Sequence, residues 1–258
     1  MSTLYLDRRS PLHRLNPVTK LVGVLAVVLV VFAVPQWWAS ATILVAVVVP
    51  IAAFSGVGGR LLVICSLLVG PLLVVLVVAQ GFFYPGRETI LFEWGPFQFS
   101  LEGLQLAIAI GARTAVLVSA TMLLLLTTHP GALMTALTER GMPPKISYVI
   151  SSTLQIIPAF RDRAAAILLA QRSRGLRTKG SIFRRIAVLL PLVTPLVLGV
   201  FVDVEERSTA MEARAFGSTR SRVSFAVIPD SRPQKVARWV LIVVALAIVA
   251  LAFTGVLS

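Results

Sequence analysis

Two arginines at the ends of predicted helices are the residues of this sequence best suited to binding another molecule. Each arginine lies between two small residues, in the sequences Ser173-Arg174-Gly175 and Ala213-Arg214-Ala215. A guanidinium offers planar donors to carboxylates and carbonyl oxygens, and small neighbours allow a partner surface to approach closely. A cation at a helix C-terminus also complements the helix dipole, so a purely local role is the alternative for each arginine.

The sequence holds no arrangement of residues that points to catalysis or nucleotide binding. It has no H-E-x-x-H motif, no Cys/His cluster and no Ser-His-acid grouping, and it has no G-x-x-x-x-G-K-[ST] loop. His13 and His129 are isolated, each beside a proline-containing turn, and Cys65 is the single cysteine. We therefore expect no catalytic residue, no metal site and no cofactor bound by this chain.

The composition indicates an integral membrane protein. Of the 258 residues, 57% are hydrophobic and 14% charged, and the mean hydropathy is +0.90. Soluble domains are far more charged, and disordered chains are far less hydrophobic. The net charge of +13 could suggest a nucleic-acid binder. Because it accompanies long apolar runs, and because the basic region 129–238 lacks interleaved aromatic residues, we expect a bilayer as partner and no nucleic acid.

Five segments are apolar and long enough to cross a bilayer as helices, which takes about 20 residues each. They are Pro17–Val34, Trp38–Phe54, Arg60–Tyr84, Leu101–Thr128 and Val236–Leu257. Pro35 ends the first, and the glycine-rich residues 56–59 form a turn after the second. The first segment is followed by Pro35 and two tryptophans rather than a small-residue cleavage site, which favours a retained helix over a signal peptide. Residues 84–100 read as a loop that could contain a short hairpin.

The distribution of charge predicts the orientation in the membrane. Residues 1–20 have a net charge of +3, residues 129–238 have +10, and the residues between them have zero. Lysine and arginine are enriched in cytoplasmic segments. We therefore expect a multi-pass protein in the plasma membrane of a prokaryote, with a cytoplasmic N-terminus, a cytoplasmic 129–238 region and an external C-terminus.

The long cytoplasmic region is predicted to be helical rather than a polar loop. Its expected helices are Pro130–Arg140, closed by Gly141, then Lys145–Arg174, capped by Gly175, and Ser181–Phe216, ended by Gly217. The stretch Ile186–Val202 has no charge and could be a sixth crossing. A crossing would place the following arginines outside, so we favour an interfacial helix, bent by Pro191 and Pro195.

Other charged residues have mainly structural interpretations. Gln171 and Arg172 precede the first arginine end and are candidates to support it. For Arg172, Arg177 and Lys179, which flank that end, we favour a solvated basic face or a contact with lipid headgroups. Arg113, midway along the fourth crossing, should face the bundle or a partner, because a charge at that depth is costly. Asp203 and Arg207 are spaced to pair along one helix, and Glu205, Glu206 and Glu212 could pair with nearby arginines.

The chain resembles the transmembrane T component of energy-coupling factor (ECF) transporters, the EcfT/CbiQ/BioN family. Leu12–Lys20 resembles that family's opening, and Ala136–Pro143 resembles its aL...G.P segment. The two arginine ends resemble its two Ala-Arg-Gly motifs, with Ser173 in place of alanine in the first and Ala215 in place of glycine in the second. Both replacements are small residues, and both arginines are present.

The resemblance implies a scaffold with five membrane helices and long cytoplasmic coupling helices. In that family the two arginines dock on a pair of ABC-type ATPase subunits, homo- or heterodimeric, which bind ATP and Mg²⁺. A separate S component binds the vitamin or transition-metal ion. The implied function is to couple ATP hydrolysis to movement of the S component, with no catalysis by this chain.

These expectations divide the chain into three parts. Residues 1–128 form a four-helix membrane bundle, residues 129–235 form the cytoplasmic or interfacial coupling region, and residues 236–258 form the last membrane helix. The main alternative is an ordinary ABC permease that forms its own substrate path. Such subunits couple to ATPases through a short loop helix rather than through two long helices with arginine tips.

Overall fold

The computed structural model describes residue 12 and residues 15–85, 89–94, 97–175, 182–216 and 229–254. In this part of the chain the elements are α1 (Pro17–Ala33), α2 (Trp37–Ser55), α3 (Gly58–Phe83), β1 (Ile90–Trp94), β2 (Phe97–Ser100), α4 (Leu101–Thr127), α5 (Pro130–Thr138), α6 (Pro144–Ser173), α7 (Ile182–Ala213) and α8 (Arg232–Phe253). The predicted all-α membrane architecture, with about five apolar helices and two further long helices, is confirmed.

The described residues group into two compact units. One contains the residues up to Ala136 together with those from 229 onward, and the other contains the residues from Leu137 to Phe216. The first unit therefore holds α1–α4 and α8, and the second holds α6 and α7.

The helices of the first unit have the length and surface of membrane spans. Within the described part of the chain, α2, α3, α4 and α8 are long and apolar enough to cross a bilayer, and α1 is apolar but shorter, at 17 residues. Large apolar side chains point outward from these helices. Leu67 in α3, for example, is 73% exposed. Such a surface suits hydrocarbon rather than water.

The interior of this unit is built by close helix packing. Val48, Ala52, Val57, Leu61 and Leu126 form a buried cluster. A glycine allows α3 and α4 to approach, because a Cβ on Gly103 would overlap the carbonyl oxygen of Gln80. At the other end, Asn16 caps α1 by accepting the N–H of Val18 at 3.0 Å, and the Asn16 N–H donates to Gln234 of α8 at 3.0 Å.

The second crossing contains a feature that hydropathy did not predict. Residues Leu44–Val48 in the middle of α2 form a π-helical turn, in which the N–H of Val49 donates to the carbonyl of Leu44. Pro50 follows at the start of the next α-helical stretch. Because proline has no N–H, it cannot donate to the carbonyl four residues earlier, and the wider turn accommodates the missing bond.

Two predicted boundaries shift in the structure. Gly56 has φ +71° and ends α2, but Gly58 and Gly59, expected in the turn, are already the first residues of α3. The last crossing starts at Arg232 rather than Val236 because Pro233 lies in the first helical turn, where its missing N–H costs nothing.

The loop between the third and fourth crossings contains the hairpin that the sequence allowed. Strands β1 and β2 pair antiparallel, with Trp94 opposite Phe97. The ring of Phe99 packs edge-on against Phe82 at the end of α3, with centroids 5.2 Å apart. Ser100 accepts the N–H of Gly103 at 3.2 Å and so caps α4.

Candidate functional site

The first arginine end is a helix terminus closed by a left-handed glycine. Helix α6 ends at Ser173, and the N–H of Arg174 donates to the carbonyl of Ala170 at 3.2 Å. Gly175 follows with φ +92°, as its predicted capping role requires, and its N–H donates to the carbonyl of Arg172 at 2.9 Å. Glycine adopts this backbone conformation without steric cost.

The second arginine end repeats this geometry one helix later. Helix α7 ends at Ala213, and Arg214 is followed by Ala215 with φ +52°. The N–H of Ala215 donates to the carbonyl of Glu212, and that of Phe216 donates to Met211, both at 2.9 Å. These two bonds define a Schellman ending. The helix therefore closes at Ala215, before Gly217, which lies outside the described residues.

The turn alone does not distinguish these two ends. Gly141 after α5 also has a positive φ, +100°, and the N–H of Met142 donates to the carbonyl of Leu137. What marks Arg174 and Arg214 is that both are exposed and neither side chain has a hydrogen bond or ion pair to a described residue. Their guanidinium donors are therefore available to a partner.

An ion pair joins the two long helices midway between these ends. Nη1 and Nη2 of Arg163 donate to the two carboxylate oxygens of Asp203 at 2.8 and 3.2 Å. The guanidinium lies over Gly199, where a Cβ would come within 2.9 Å of Nη1. The bond from Arg163 holds the pKa of the Asp203 carboxyl below its usual 3.8, helped by the charges of Arg163 and Arg207.

This pair corrects the expected partner of Asp203. The sequence predicted an intrahelical pair with Arg207, which contributes only charge attraction. Arg163 was not singled out, although its separation from Asp203, 40 positions, equals that of the two end arginines. Each end arginine lies 11 residues beyond its own member of the pair, so the two arms have equal length.

A second contact fixes the relative direction of the helices. The ring of Tyr148, near the start of α6, lies 5.2 Å from the ring of Phe216, just beyond α7. Tyr148 precedes Arg163 along α6, whereas its partner Phe216 follows Asp203, the partner of Arg163, along the chain. Helices α6 and α7 are antiparallel, and their arginine ends extend in opposite directions from the ion pair.

The other residues predicted around this site fall on both helices. Arg172 is exposed and Gln171 is partly buried on the last turn of α6. Helix α7 continues through Pro191 and Pro195, so the predicted bend remains a prediction. Arg177 and Lys179 lie outside the described residues.

Two isolated residues of the first unit have local partners. The guanidinium of Arg113, midway along α4, lies 6.0 Å from the ring centroid of Phe32 in α1, within cation–π range. Its Nε is buried without a hydrogen-bond partner. Nδ1 of His129 accepts the N–H of Gly131 at 3.1 Å, which caps the start of α5. His13 lies outside the described residues.

Within the described residues, no group of three or more His, Cys, Asp or Glu side chains is placed to hold a metal ion. The second unit instead presents two exposed arginine ends on two helices that an ion pair joins.

Comparison with known proteins identifies the same kind of molecule. A family model described as CbiQ, cobalt transport protein, matches residues 8–225. The energy-coupling factor transporter transmembrane protein EcfT of Brevibacillus brevis is 30% identical over 234 residues, covering 85% of this chain and 86% of the relative. The protein of the same name from Heliobacterium modesticaldum is 32% identical over 235 residues, covering 84% and 86%. That from Thermanaerovibrio acidaminovorans is 31% identical over 233 residues, covering 84% and 85%.

The fold defines a multi-pass α-helical membrane protein with a second unit of long, exposed helices. The chain belongs to the CbiQ family of transporter membrane components. The resemblance to the transmembrane component of ECF transporters, drawn from the sequence, is confirmed by the EcfT relatives.

Proposed function

We propose that this chain is the mechanical scaffold of an ECF-type importer, coupling ATP hydrolysis by two ABC-type ATPase subunits to movement of a substrate-binding S component. The observation that carries the proposal is the repetition at the ends of α6 and α7. Two exposed guanidinium groups without a partner among the described residues lie at helix ends that share a left-handed closing turn, and each lies 11 residues from its own member of one ion pair. These two equivalent arginine ends, called tips below, suit two similar binding sites on a pair of ATPase subunits.

The chemistry of each tip favours a carboxylate or a carbonyl-lined groove on the ATPase. A guanidinium binds such groups through paired, planar hydrogen bonds. Since a helix is stiff along its axis, displacement of a docked tip moves the rest of α6 or α7. ATP and Mg²⁺ bind to the partner subunits, and this chain contributes docking and force transmission without catalysis.

The exposed apolar surface of the second unit supports a further partner. Val149 in α6 is 61% exposed, and Leu198 and Phe201 in α7 are 61% and 67% exposed. Extended apolar surfaces of this kind mark protein or membrane contacts. In the proposed complex they are covered by the S component and the adjoining bilayer surface, and the S component carries the cargo, a vitamin or a transition-metal ion.

The proposal includes the orientation predicted from charge. Residues 1–128 form the membrane bundle, residues 129–235 form the coupling region on the cytoplasmic side, and residues 236–258 form the last crossing. The N-terminus is cytoplasmic. This arrangement places both arginine tips where ATP is available.

Affinity purification of the full chain from its host in mild detergent tests the proposal. Two ABC ATPases, or two copies of one, and a small hydrophobic protein should co-purify. Replacing both arginines, Arg174→Ala with Arg214→Ala, should lower the recovery of the ATPases at least tenfold and abolish uptake, because each tip loses its hydrogen-bond donors. The hydrophobic partner should be retained.

A matched control removes two exposed positive charges elsewhere, Arg60→Ala with Lys145→Ala, and should leave ATPase recovery unchanged. Retention of the ATPases and normal uptake by the double arginine variant would rule out the docking role. Recovery of the ATPases without any separate membrane protein, together with substrate bound to this chain, would favour the ordinary permease instead.

A further inference from the structure

A cavity in the first unit, which holds α1–α4 and α8, combines an apolar interior with one cationic end. It has a volume of about 440 Å³ and lies between α1, α2, α4 and α8. Gly23, Val27, Ile51, Leu124 and Leu241 line its apolar part. The polar side chains of Thr19, Lys20 and Gln234 all lie at the end formed by the first turns of α1 and α8.

Lys20 is the unusual residue of this end. It is 9% exposed, and its ammonium donates to the carbonyl oxygen of Thr127 at 2.7 Å. No carboxylate in the described part of the chain pairs with it, whereas Arg238, which donates to Oγ1 of Thr19 at 3.1 Å, is paired with Asp230 at 2.9 Å. An ammonium has three donors, of which this bond uses one.

The charge of Lys20 is only partly compensated by the protein. The C-terminal carbonyl of α4 offsets part of the charge, but Lys20 also lies in the first turn of α1, where the helix dipole disfavours a cation. An opposite charge that approaches a buried charge at a membrane surface stabilises it strongly. The cavity end therefore attracts a negatively charged group.

The length and lining of the cavity match a lipid tail. From Lys20 to Val27 its apolar wall follows α1 for about 10 Å. One hydrocarbon tail fits, and an anionic headgroup at the Lys20 end would complete the contact. Basic pockets between membrane helices bind lipid headgroups in this way.

We propose that this cavity is a binding site for one acyl chain of an anionic phospholipid, whose phosphate pairs with Lys20. The lipid would join α1, α2, α4 and α8 at the membrane surface on the Lys20 side. The site is independent of the arginine tips, and it stands whether or not they dock on ATPases.

The test uses the full chain in nanodiscs of phosphatidylcholine that contain a trace of photoactivatable lipid. The probe is phosphatidylglycerol with a diazirine in one acyl chain, compared with phosphatidylcholine carrying the same chain. Mass spectrometry then locates the labelled residues. We expect phosphatidylglycerol to label residues 23–27 and 120–124 roughly five-fold more than phosphatidylcholine does, since one basic residue near the surface gives about that preference.

Two variants separate the tail from the headgroup. Gly23→Leu places a side chain in the cavity, where the nearest existing atom is Leu241 Cδ1 at 4.0 Å, and should abolish labelling there by both lipids. Lys20→Gln can still donate to Thr127 but carries no charge. It should reduce the preference for phosphatidylglycerol to about one-fold while labelling of the cavity persists.

Gly59→Leu is the matched control, because a Cβ at Gly59 meets nothing within 4 Å, and it should leave the pattern unchanged. Labelling of the exposed face of α3 reports ordinary surrounding lipid and should be the same in every variant. Equal labelling of the cavity by the two lipids in the unaltered protein, or labelling that survives Gly23→Leu, would overturn the proposal.

Discussion

Ala215 is the one non-glycine residue with positive φ in the described part of the chain, and it closes the helix that carries Arg214. A Cβ in the left-handed region costs about 1–2 kcal/mol. The ending nevertheless forms, with both Schellman bonds at 2.9 Å, and the contact between Phe216 and Tyr148 offsets part of the cost, since such ring pairs contribute about 0.5–1.5 kcal/mol. The equivalent Gly175 has no such penalty.

The replacement Ala215→Gly should therefore stabilise the end of α7. Relief of the left-handed strain exceeds the added freedom of glycine in the unfolded chain, leaving a gain of about 0.5–1 kcal/mol. Hydrogen–deuterium exchange of the Phe216 amide should slow two- to five-fold. Ala213→Gly, two residues earlier and inside the helix, should instead accelerate exchange. Faster exchange in Ala215→Gly would show that position 215 is not strained.

At the scale of elements, the Arg163–Asp203 pair determines how far apart the arginine tips lie. Each arm of 11 residues is about 16 Å long, so the antiparallel helices separate the tips by at most about 33 Å. The pair is exposed, with both side chains about 41–42% accessible, and exposed ion pairs contribute little to stability. Loss of the pair should therefore change the distance between the two tips rather than the free energy of unfolding.

Spin labels on the two tips can measure that geometry. In a Cys65→Ser background, Ser173→Cys and Ala213→Cys give one label beside each arginine, and double electron–electron resonance gives their separation. Arg163→Asp places two carboxylates together and Asp203→Arg places two guanidiniums together, so each should broaden the distance distribution. The combined exchange should restore it, and Arg207→Ala should leave it unchanged. A distribution insensitive to both single changes would refute the role of this pair.

The elements also show which features could be predicted from sequence. Helix α6 was predicted as Lys145–Arg174 and is Pro144–Ser173, because proline and glycine mark helix ends locally. The end of α7 was predicted at Phe216 because glycine commonly closes a helix and Gly217 follows that residue. In the structure Ala215 adopts the left-handed turn instead. The partner of Asp203 was missed because Arg163 belongs to another helix, and hydrophobic periodicity carries no information on side-chain pairs between helices.

For the whole molecule, the proposed function requires that both tips lie on the same side of the bilayer. The stretch Ile186–Val202 lies inside α7, between the two arginine ends. If it crosses the membrane, the tips face opposite sides and cannot both meet cytoplasmic ATPases. A crossing would also place outside five basic residues, Arg220, Arg222, Arg232, Lys235 and Arg238, against the enrichment of lysine and arginine on the cytoplasmic side.

Cysteine accessibility decides between the two arrangements. In the Cys65→Ser background, Ser173→Cys and Ala213→Cys should both react with a membrane-impermeant maleimide in inside-out vesicles and not in intact cells. Thr254→Cys, just beyond α8, should show the opposite pattern, because in the proposed topology α8 crosses the bilayer between the tips and residue 254. Labelling of Ser173→Cys and Ala213→Cys from opposite sides would make Ile186–Val202 a sixth crossing, and the two-tip scaffold could not then operate.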